Sequence, residues 1–465
     1  MIFALILSMI LVITVIFPNA LAAETDYPDP NPAEDTSSYG KHIQRSMTLM
    51  ATSTPEKRNT VRILYYGQSI VGQRWSDMVD EYLRQRFPNT DFVTKNLAIG
   101  GFSSPRLVRT MYYDVFPFYP DLLLFHVYGD HIQYENIIKE VRKRTTAEII
   151  IQTDHANKWP EHKSDSLGEQ ESWDGKMNHW YLPQIARKDN CALQPQRDEW
   201  IQYMRDNKLE PSQLLTDTVH LNEHGKWLMA ELLKRFFVYL PDEPQDEWAD
   251  MVKTYTVGKD IQWQGDRLTL EFEGNRVVAL AAQGAEGTAK VLIDGKKPSE
   301  LPECYTFTRP SRTKGIGWPA MMKMSWNKPP VLEEWTATFN DFNEKNDDFK
   351  FTVTGSVTGF DGSGTGKEEF VSNSGRLVIK PEDWIFASDK QVTSQDTPDG
   401  WVVKWKVVPM FVDEYTPPEV TEPASEYQTV LAQGLENTKH KLELIATGNQ
   451  KPAIRAIRIH TPPMK

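Results

Sequence analysis

Between Val61 and Leu240 short apolar runs alternate with amphipathic stretches, and beyond about Pro241 that alternation stops. Val61–Tyr66 (VRILYY) reads as a strand, followed by a turn and an amphipathic stretch from Arg74 to Phe87. Asp91–Leu97 reads as a second strand, trailed by a Gly-Gly turn and a helix around Pro105–Tyr113. Asp121–Val127 (DLLLFHV) is almost continuously apolar, as a strand covered on both faces of a parallel sheet must be. Asn136–Arg144 predicts a helix and Ala147–Gln152 another strand; Lys176–Asn190, Gln196–Lys208 and Asn222–Leu240 predict helices. Such alternation specifies an α/β sheet.

After Pro241 the runs become short and are split by Gly, Asp, Asn and Pro. They include Leu268–Phe272, Val277–Ala281, Lys290–Ile293, Phe349–Val353, Arg376–Ile379 and Trp401–Val408. That pattern predicts antiparallel, jelly-roll-like sandwich structure. Residues 250–310 joined to 425–465 amount to one sandwich, with 311–420 a second β unit inserted into it. The 30 prolines and 26 glycines fit many turns and short strands. A chain of 465 residues accommodates two or three domains. The expected division is 1–22 leader, 23–59 linker and lead-in, 60–245 α/β domain and 246–465 β region.

The leader expectation rests on Ile2–Phe17, an apolar run broken only by Ser8 and Thr14, followed by Ala20-Leu21-Ala22. A spanning helix needs about 20 apolar residues, so a cleaved export signal is the better reading, although no Lys or Arg precedes the run. Membrane attachment would then arise only through an uncleaved N-terminal segment. The protein is expected to be secreted or periplasmic. A net charge of −12 repels phosphate backbones and argues against general nucleic-acid binding. Cys191 and Cys304 could pair in an exported protein, but nothing in the sequence brings them together, and two buried thiols is the preferred reading.

Three segments fall where open α/β sheets place ligands, at the carboxyl ends of strands or before a late helix. Tyr66-Gly67-Gln68-Ser69-Ile70 follows the first strand and would expose the Ser69 hydroxyl at a helix start. Asn96-Leu97-Ala98-Ile99-Gly100-Gly101 follows the second, and its glycines let backbone N–H groups approach a substrate oxygen. Asp217-Thr218-Val219-His220-Leu221-Asn222-Glu223-His224-Gly225 precedes the last helix. Its Asp217 and His220, three apart in a turn, can bring a carboxylate against Nδ1 and leave Nε2 to face a serine. Taken singly, each segment is an ordinary cap or turn.

In this order, the three blocks resemble the SGNH/GDSL hydrolase family over roughly 60–240, most specifically in Asp217-x-x-His220-Leu221-Asn222-x-x-Gly225. The resemblance implies a flavodoxin-like three-layer domain and a serine esterase that needs no cofactor. It makes Ser69 the nucleophile, His220 the general base and then acid, and Asp217 its orienter. Gly101, beside Gly100, and the Ser69 N–H become the oxyanion donors. The third block departs from the family: where an Asn donor is usual, this chain offers Asp130 or His131, depending on alignment. An ionised Asp130 cannot donate, whereas a neutral His131 can. Asp130 with Asp154 and His155 is expected as a second polar cluster on the same rim.

Carbohydrate O-acetyl groups are the substrate the resemblance implies, with a polysaccharide or oligosaccharide as partner. The aromatic-rich stretch Lys158–Lys176, with Trp159 and Trp173 and followed by Trp180 and Tyr181, fits a lid over the site. Two alternatives stay open. One is glycosidic cleavage by Asp130 with Asp154 or Asp217. The other is a glycan-binding surface protein with a vestigial α/β domain. A zinc site from His126, His131, His155, His220, Asp130 and Asp154 is unspecific in spacing.

Overall fold

The computed structural model describes residues 27–160, 172–242 and 249–465. The leader 1–22 and most of the expected lid, 161–171, lie outside the described residues. The lead-in contains helix α1 (Gln44–Ala51). Then come β1 (Thr60–Gly67), α2 (Ser69–Gly72), α3 (Trp75–Arg86), β2 (Asp91–Asn96) and α4 (Ser104–Phe118). β3 (Leu122–His126), α5 (His131–Arg144) and β4 (Glu148–Gln152) follow. α6 (Trp173–Gly175) runs through a π-helical turn (Lys176–Tyr181) into α7 (Leu182–Lys188). β5 (Ala192–Gln194), α8 (Gln196–Asp206) and α9 (Glu223–Lys234) complete the domain. β5, only three residues long, is too short for a periodic signal and escaped the sequence reading.

The five strands form one parallel sheet in the order β2-β1-β3-β4-β5. Alternation along β1 sorts its side chains between two cores. Val61, Ile63 and Tyr65 pack with α1, α3, α8 and α9. Leu64 and Tyr66 pack with α4, α5 and α7. Both faces of the sheet are therefore covered, so β3 and β4 are fully buried.

The remainder is antiparallel. β6 (Val252–Thr256), β7 (Trp263–Gln264), β8 (Arg267–Glu286) and β9 (Ala289–Ile293) come first, then β10 (Tyr305–Phe307). β11 (Glu334–Asn340), β12 (Lys350–Gly355), β13 (Gly359–Thr365), β14 (Phe370–Val371) and β15 (Val378–Ile379) precede α10 (Phe386–Thr393). β16 (Trp401–Pro409), β17 (Glu414–Tyr415), β18 (Gln428–Ala446) and β19 (Pro452–His460) end the chain. One sheet is ordered β17-β9-β18-β8-β19-β6 with β7 on β8, and a second is ordered β10-β16-β11-β12-β13. Leu268–Phe272 and Val277–Ala281 are parts of one long strand, β8, whose pairing with β18 shifts register between them. The second sheet begins with β10, and β17 already belongs to the first, so the strands change sheet before 305 and again before 414 rather than at 311 and 420.

Each sheet has its own apolar core, but the second is not independent of the α/β domain. Trp318, Met322 and Ile385 join the core beneath α4 and α5. Arg109 of α4 reaches Asp383 at 2.7 Å, and Arg309 grips Asp114 of α4 with two bonds of 2.7 and 2.9 Å. Burial pushes the Asp114 carboxyl up to about 6 against the pull of Arg309. Cys191 and Cys304 are both buried and unpaired.

The start of α9 sets the place of the Asp217–His220 turn. Asn222 caps the helix by accepting from the Gly225 N–H at 2.9 Å. A Cβ on Gly225 would lie 2.2 Å from the Leu214 carbonyl oxygen. Gly225→Ala should therefore cost about 1–3 kcal/mol of stability, read as an earlier unfolding midpoint in urea, together with a fall in activity as the turn is pushed outward.

Candidate active site

The structure brings Ser69, His220 and Asp217 into one hydrogen-bonded chain. His220 Nε2 lies 2.9 Å from Ser69 Oγ, across 151 positions of sequence. His220 Nδ1 lies 2.8 Å from Asp217 Oδ2. The other carboxylate oxygen, Oδ1, accepts from the N–H groups of Val219 and His220, both at 2.7 Å. These bonds, led by the His220 backbone N–H, hold the Asp217 carboxyl down at about 2. An ionised Asp217 accepts a hydrogen bond from Nδ1–H, which fixes the tautomer and leaves the Nε2 lone pair for the serine hydroxyl.

Gln73 joins the serine and histidine loops directly, and three further side chains steady the histidine loop through the segment after β4; the sequence signals none of these roles. Gln73, just after α2, donates to the Leu221 carbonyl and accepts from the Leu221 N–H, both at 2.9 Å. His155 Nε2 meets the Val219 carbonyl at 2.8 Å, and Asn157 donates to the Thr218 carbonyl at 3.1 Å. Arg197 donates to the His155 carbonyl at 3.1 Å. The turn is closed by the Thr216 N–H donating to the His220 carbonyl at 2.8 Å. His155 had been expected near the site as part of a polar cluster; the structure makes it a clamp on the histidine loop.

Gly100 lies directly beside Ser69, where a Cβ on it would fall 3.6 Å from Ser69 Cβ, and Gly101 lines the same cavity. Gly101 has φ +77, and its missing side chain leaves room for the Trp318 ring, 2.8 Å from where a Cβ would be. Ser69 opens α2, so no earlier helical carbonyl takes its N–H.

Of the expected Asp130, Asp154 and His155 cluster, Asp154 and His155 line the cavity and Asp130 does not join them. Asp130 is exposed and caps α5, accepting from the Gln133 N–H at 2.9 Å. Asp154 instead pairs with buried His126, Nε2 lying 3.1 Å from Oδ1, without the alignment of a linear hydrogen bond. Burial opposes ionisation of Asp154, yet His126, His155 and Arg197 keep its carboxyl below the usual range. His131 does not enter the cleft either: its ring stacks on Tyr181 at 3.8 Å and tilts against Trp173. Asp130 therefore serves as a helix cap and His131 as packing, and neither stands in the cavity over Ser69, which Tyr128 and Gly129 of the same block do line. Glycosidic cleavage by Asp130 with a second carboxylate loses its geometry for the same reason. Among the described residues no cluster of three or more His, Cys, Asp or Glu is arranged to hold a metal.

A cavity of about 1240 Å³ opens over Ser69 and His220. Tyr128 and Trp173, 44% and 48% exposed, stand at it. Trp159 faces elsewhere, donating to Glu210 at 2.7 Å and packing on the opposite core. The far wall is built by 309–319, which join β10 to β11. This contribution from the inserted unit is about 240 positions beyond Ser69, and no motif in that stretch signals it.

No family model matches the chain, and no curated protein matches it. Among solved structures it is similar to a two-domain esterase active on acetylated mannans, co-crystallised with mannopentaose. That match has 13% identity, covers 91% of this chain and 96% of that one, and has a TM-score of 0.35. It is also similar to an acetylxylan esterase from Geobacillus stearothermophilus, at 17% identity over 40% of this chain and 98% of that one, TM-score 0.33. No helix among the described residues is long and apolar enough to cross a membrane.

Burial holds the His155 imidazole down at about 4. The unfolded chain takes up that proton near 6.5, so between about pH 6.5 and 4 the unfolded state binds more protons and stability falls as pH drops. The loss amounts to about 3 kcal/mol, at about 1.4 kcal/mol per unit. His155→Gln, which keeps a donor for the Val219 carbonyl and does not titrate, should flatten that part of the pH–stability curve measured by urea unfolding.

Proposed function

We propose that this chain is a serine hydrolase of the SGNH/GDSL type that cleaves carboxylic esters, acting on O-acetyl groups of a carbohydrate. The single observation that carries the reading is the chain of hydrogen bonds from Ser69 Oγ through His220 to Asp217. The parallel strand order 2-1-3-4-5, with both faces covered, supports a flavodoxin-like three-layer domain beneath it. The antiparallel region would be its jelly-roll-like appendage.

In this mechanism Ser69 Oγ attacks the ester carbonyl carbon while His220 Nε2 takes the hydroxyl proton. Asp217 stabilises the imidazolium that results. The developing oxyanion receives the N–H groups of Ser69 and Gly101. His220 then gives its proton to the departing sugar oxygen, leaving an acyl-enzyme. Water enters, loses a proton to His220 and attacks the acyl carbon; as the tetrahedral intermediate collapses, His220 returns that proton to Ser69 Oγ, which frees the acid and restores the serine hydroxyl.

The cleft supports this substrate class. A cavity of about 1240 Å³ exceeds what a small ester fills. Tyr128 and Trp173 offer exposed ring faces at the cleft, and amphipathic aromatics of this kind suit the apolar face of a sugar. Export through the 1–22 leader, to a secreted or periplasmic site, would bring the enzyme to a polysaccharide or oligosaccharide.

Ser69→Ala should reduce turnover of a chromogenic acetate ester, and acetate release from an O-acetylated polysaccharide, by at least about 10⁴-fold with an unchanged circular dichroism spectrum. Retained turnover would remove the triad model. Glycan binding without turnover in the wild-type chain would leave a binding protein instead.

A further inference from the structure

We infer that Trp318, on the inserted β unit, is a positioning residue for the oxyanion hole, an inference that rests on the proposed serine mechanism. Its indole Nε1–H donates to the Gly100 carbonyl at 2.6 Å. That carbonyl and the Gly101 N–H belong to the same planar trans peptide and point in opposite directions. Fixing the oxygen on the Trp318 side therefore turns the Gly101 N–H toward the Ser69 side. A hydrogen bond to the carbonyl also polarises the peptide and makes its N–H a stronger donor. Gly101, with φ +77, has no side chain to intervene, and the indole ring occupies the space a Cβ would need.

The indole is itself rigidly held. It is 4% exposed, meets Phe102 edge to face at 5.4 Å and carries the Arg106 guanidinium over its ring at 4.7 Å. The turn that presents it is closed by the Thr313 N–H donating to the Trp318 carbonyl at 2.8 Å. Buried Asp389 of α10 then ties the turn down. It accepts from Thr313 Oγ1 at 2.9 Å, the Ile316 N–H at 2.8 Å and the Gly315 N–H at 3.1 Å. Arg309 reinforces the same glycine loop from its other end by donating to the Leu97 carbonyl. A preorganised donor of this kind acts where charge develops, in the transition state, and little in the ground state. The α/β domain supplies the nucleophile and base; the inserted unit aims the oxyanion donor.

The test uses the full chain with Trp318→Phe, which keeps a ring and removes the N–H. With 4-nitrophenyl acetate, kcat should fall about 10–100-fold while KM stays within about twofold. Phosphonylation of Ser69 by an organophosphonate, whose phosphoryl oxygen uses the same hole, should slow by a similar factor. A merely structural role would disturb KM and folding together. Asp389→Asn, which loosens the turn without touching the cleft, should lower kcat in the same sense and by less. Wild-type kcat in Trp318→Phe would overturn the inference, as would wild-type kcat in Asp389→Asn where Trp318→Phe fails to fold. An inactive Ser69→Ala beside a fully active Trp318→Phe would defeat this inference alone. An active Ser69→Ala would defeat the serine mechanism beneath it.

Discussion

The 2.9 Å contact between Ser69 Oγ and His220 Nε2 is the interaction on which the site depends. Its partners belong to separate loops, one leaving β1 and one entering α9. A displacement of about 1 Å at such a contact costs on the order of 10²-fold in rate. The surrounding structure holds the spacing through backbone atoms rather than through the Ser69 and His220 side chains. Gln73 locks the Leu221 peptide to α2, while His155 and Asn157 hold the carbonyls of Val219 and Thr218. Asn222 and Gly225 fix where α9 begins. The sheet contributes by bringing the carboxyl ends of β1, β2 and β4 to one edge, so that Ser69, Gly101 and His155 meet there.

The inserted β unit changes how the architecture is understood. An appendage that only bound glycan could sit anywhere on the surface. This one is fastened to α4 by Arg109–Asp383 and Arg309–Asp114, and it sends Trp318 into the core below the glycine loop. Its 309–319 segment then lines the same cavity as His220 and Val219. The cleft is therefore composite, lined mainly by the α/β domain with one part supplied by residues 309–319.

Much of this was legible in the sequence, because local chemistry announces local structure. The buried strands β3 and β4 show as apolar runs, and Asp217-x-x-His220-Leu221-Asn222-x-x-Gly225 shows as a turn, a buried Leu, a cap and a close approach. Other features are set by partners far along the chain. Gln73 and Asn157 look like any surface amide until the backbone they grip is in place. Trp318 sits in a Gly-rich stretch whose contact with Gly100 spans 218 positions. Asp130 and His131 misled because alignment on Gly129 suggests a donor, whereas folding uses one as a helix cap and stacks the other on Tyr181. Long β8 read as two strands because the polar residues at its register shift look like a turn.

The most direct measurement is covalent. The intact protein is treated with a serine-directed organophosphonate, digested, and the adduct located by mass spectrometry. The account predicts one adduct per chain, on the peptide carrying Ser69, formed far more slowly when His220 is replaced by Ala. An adduct on another residue, or none under conditions that label a known serine esterase, would contradict it.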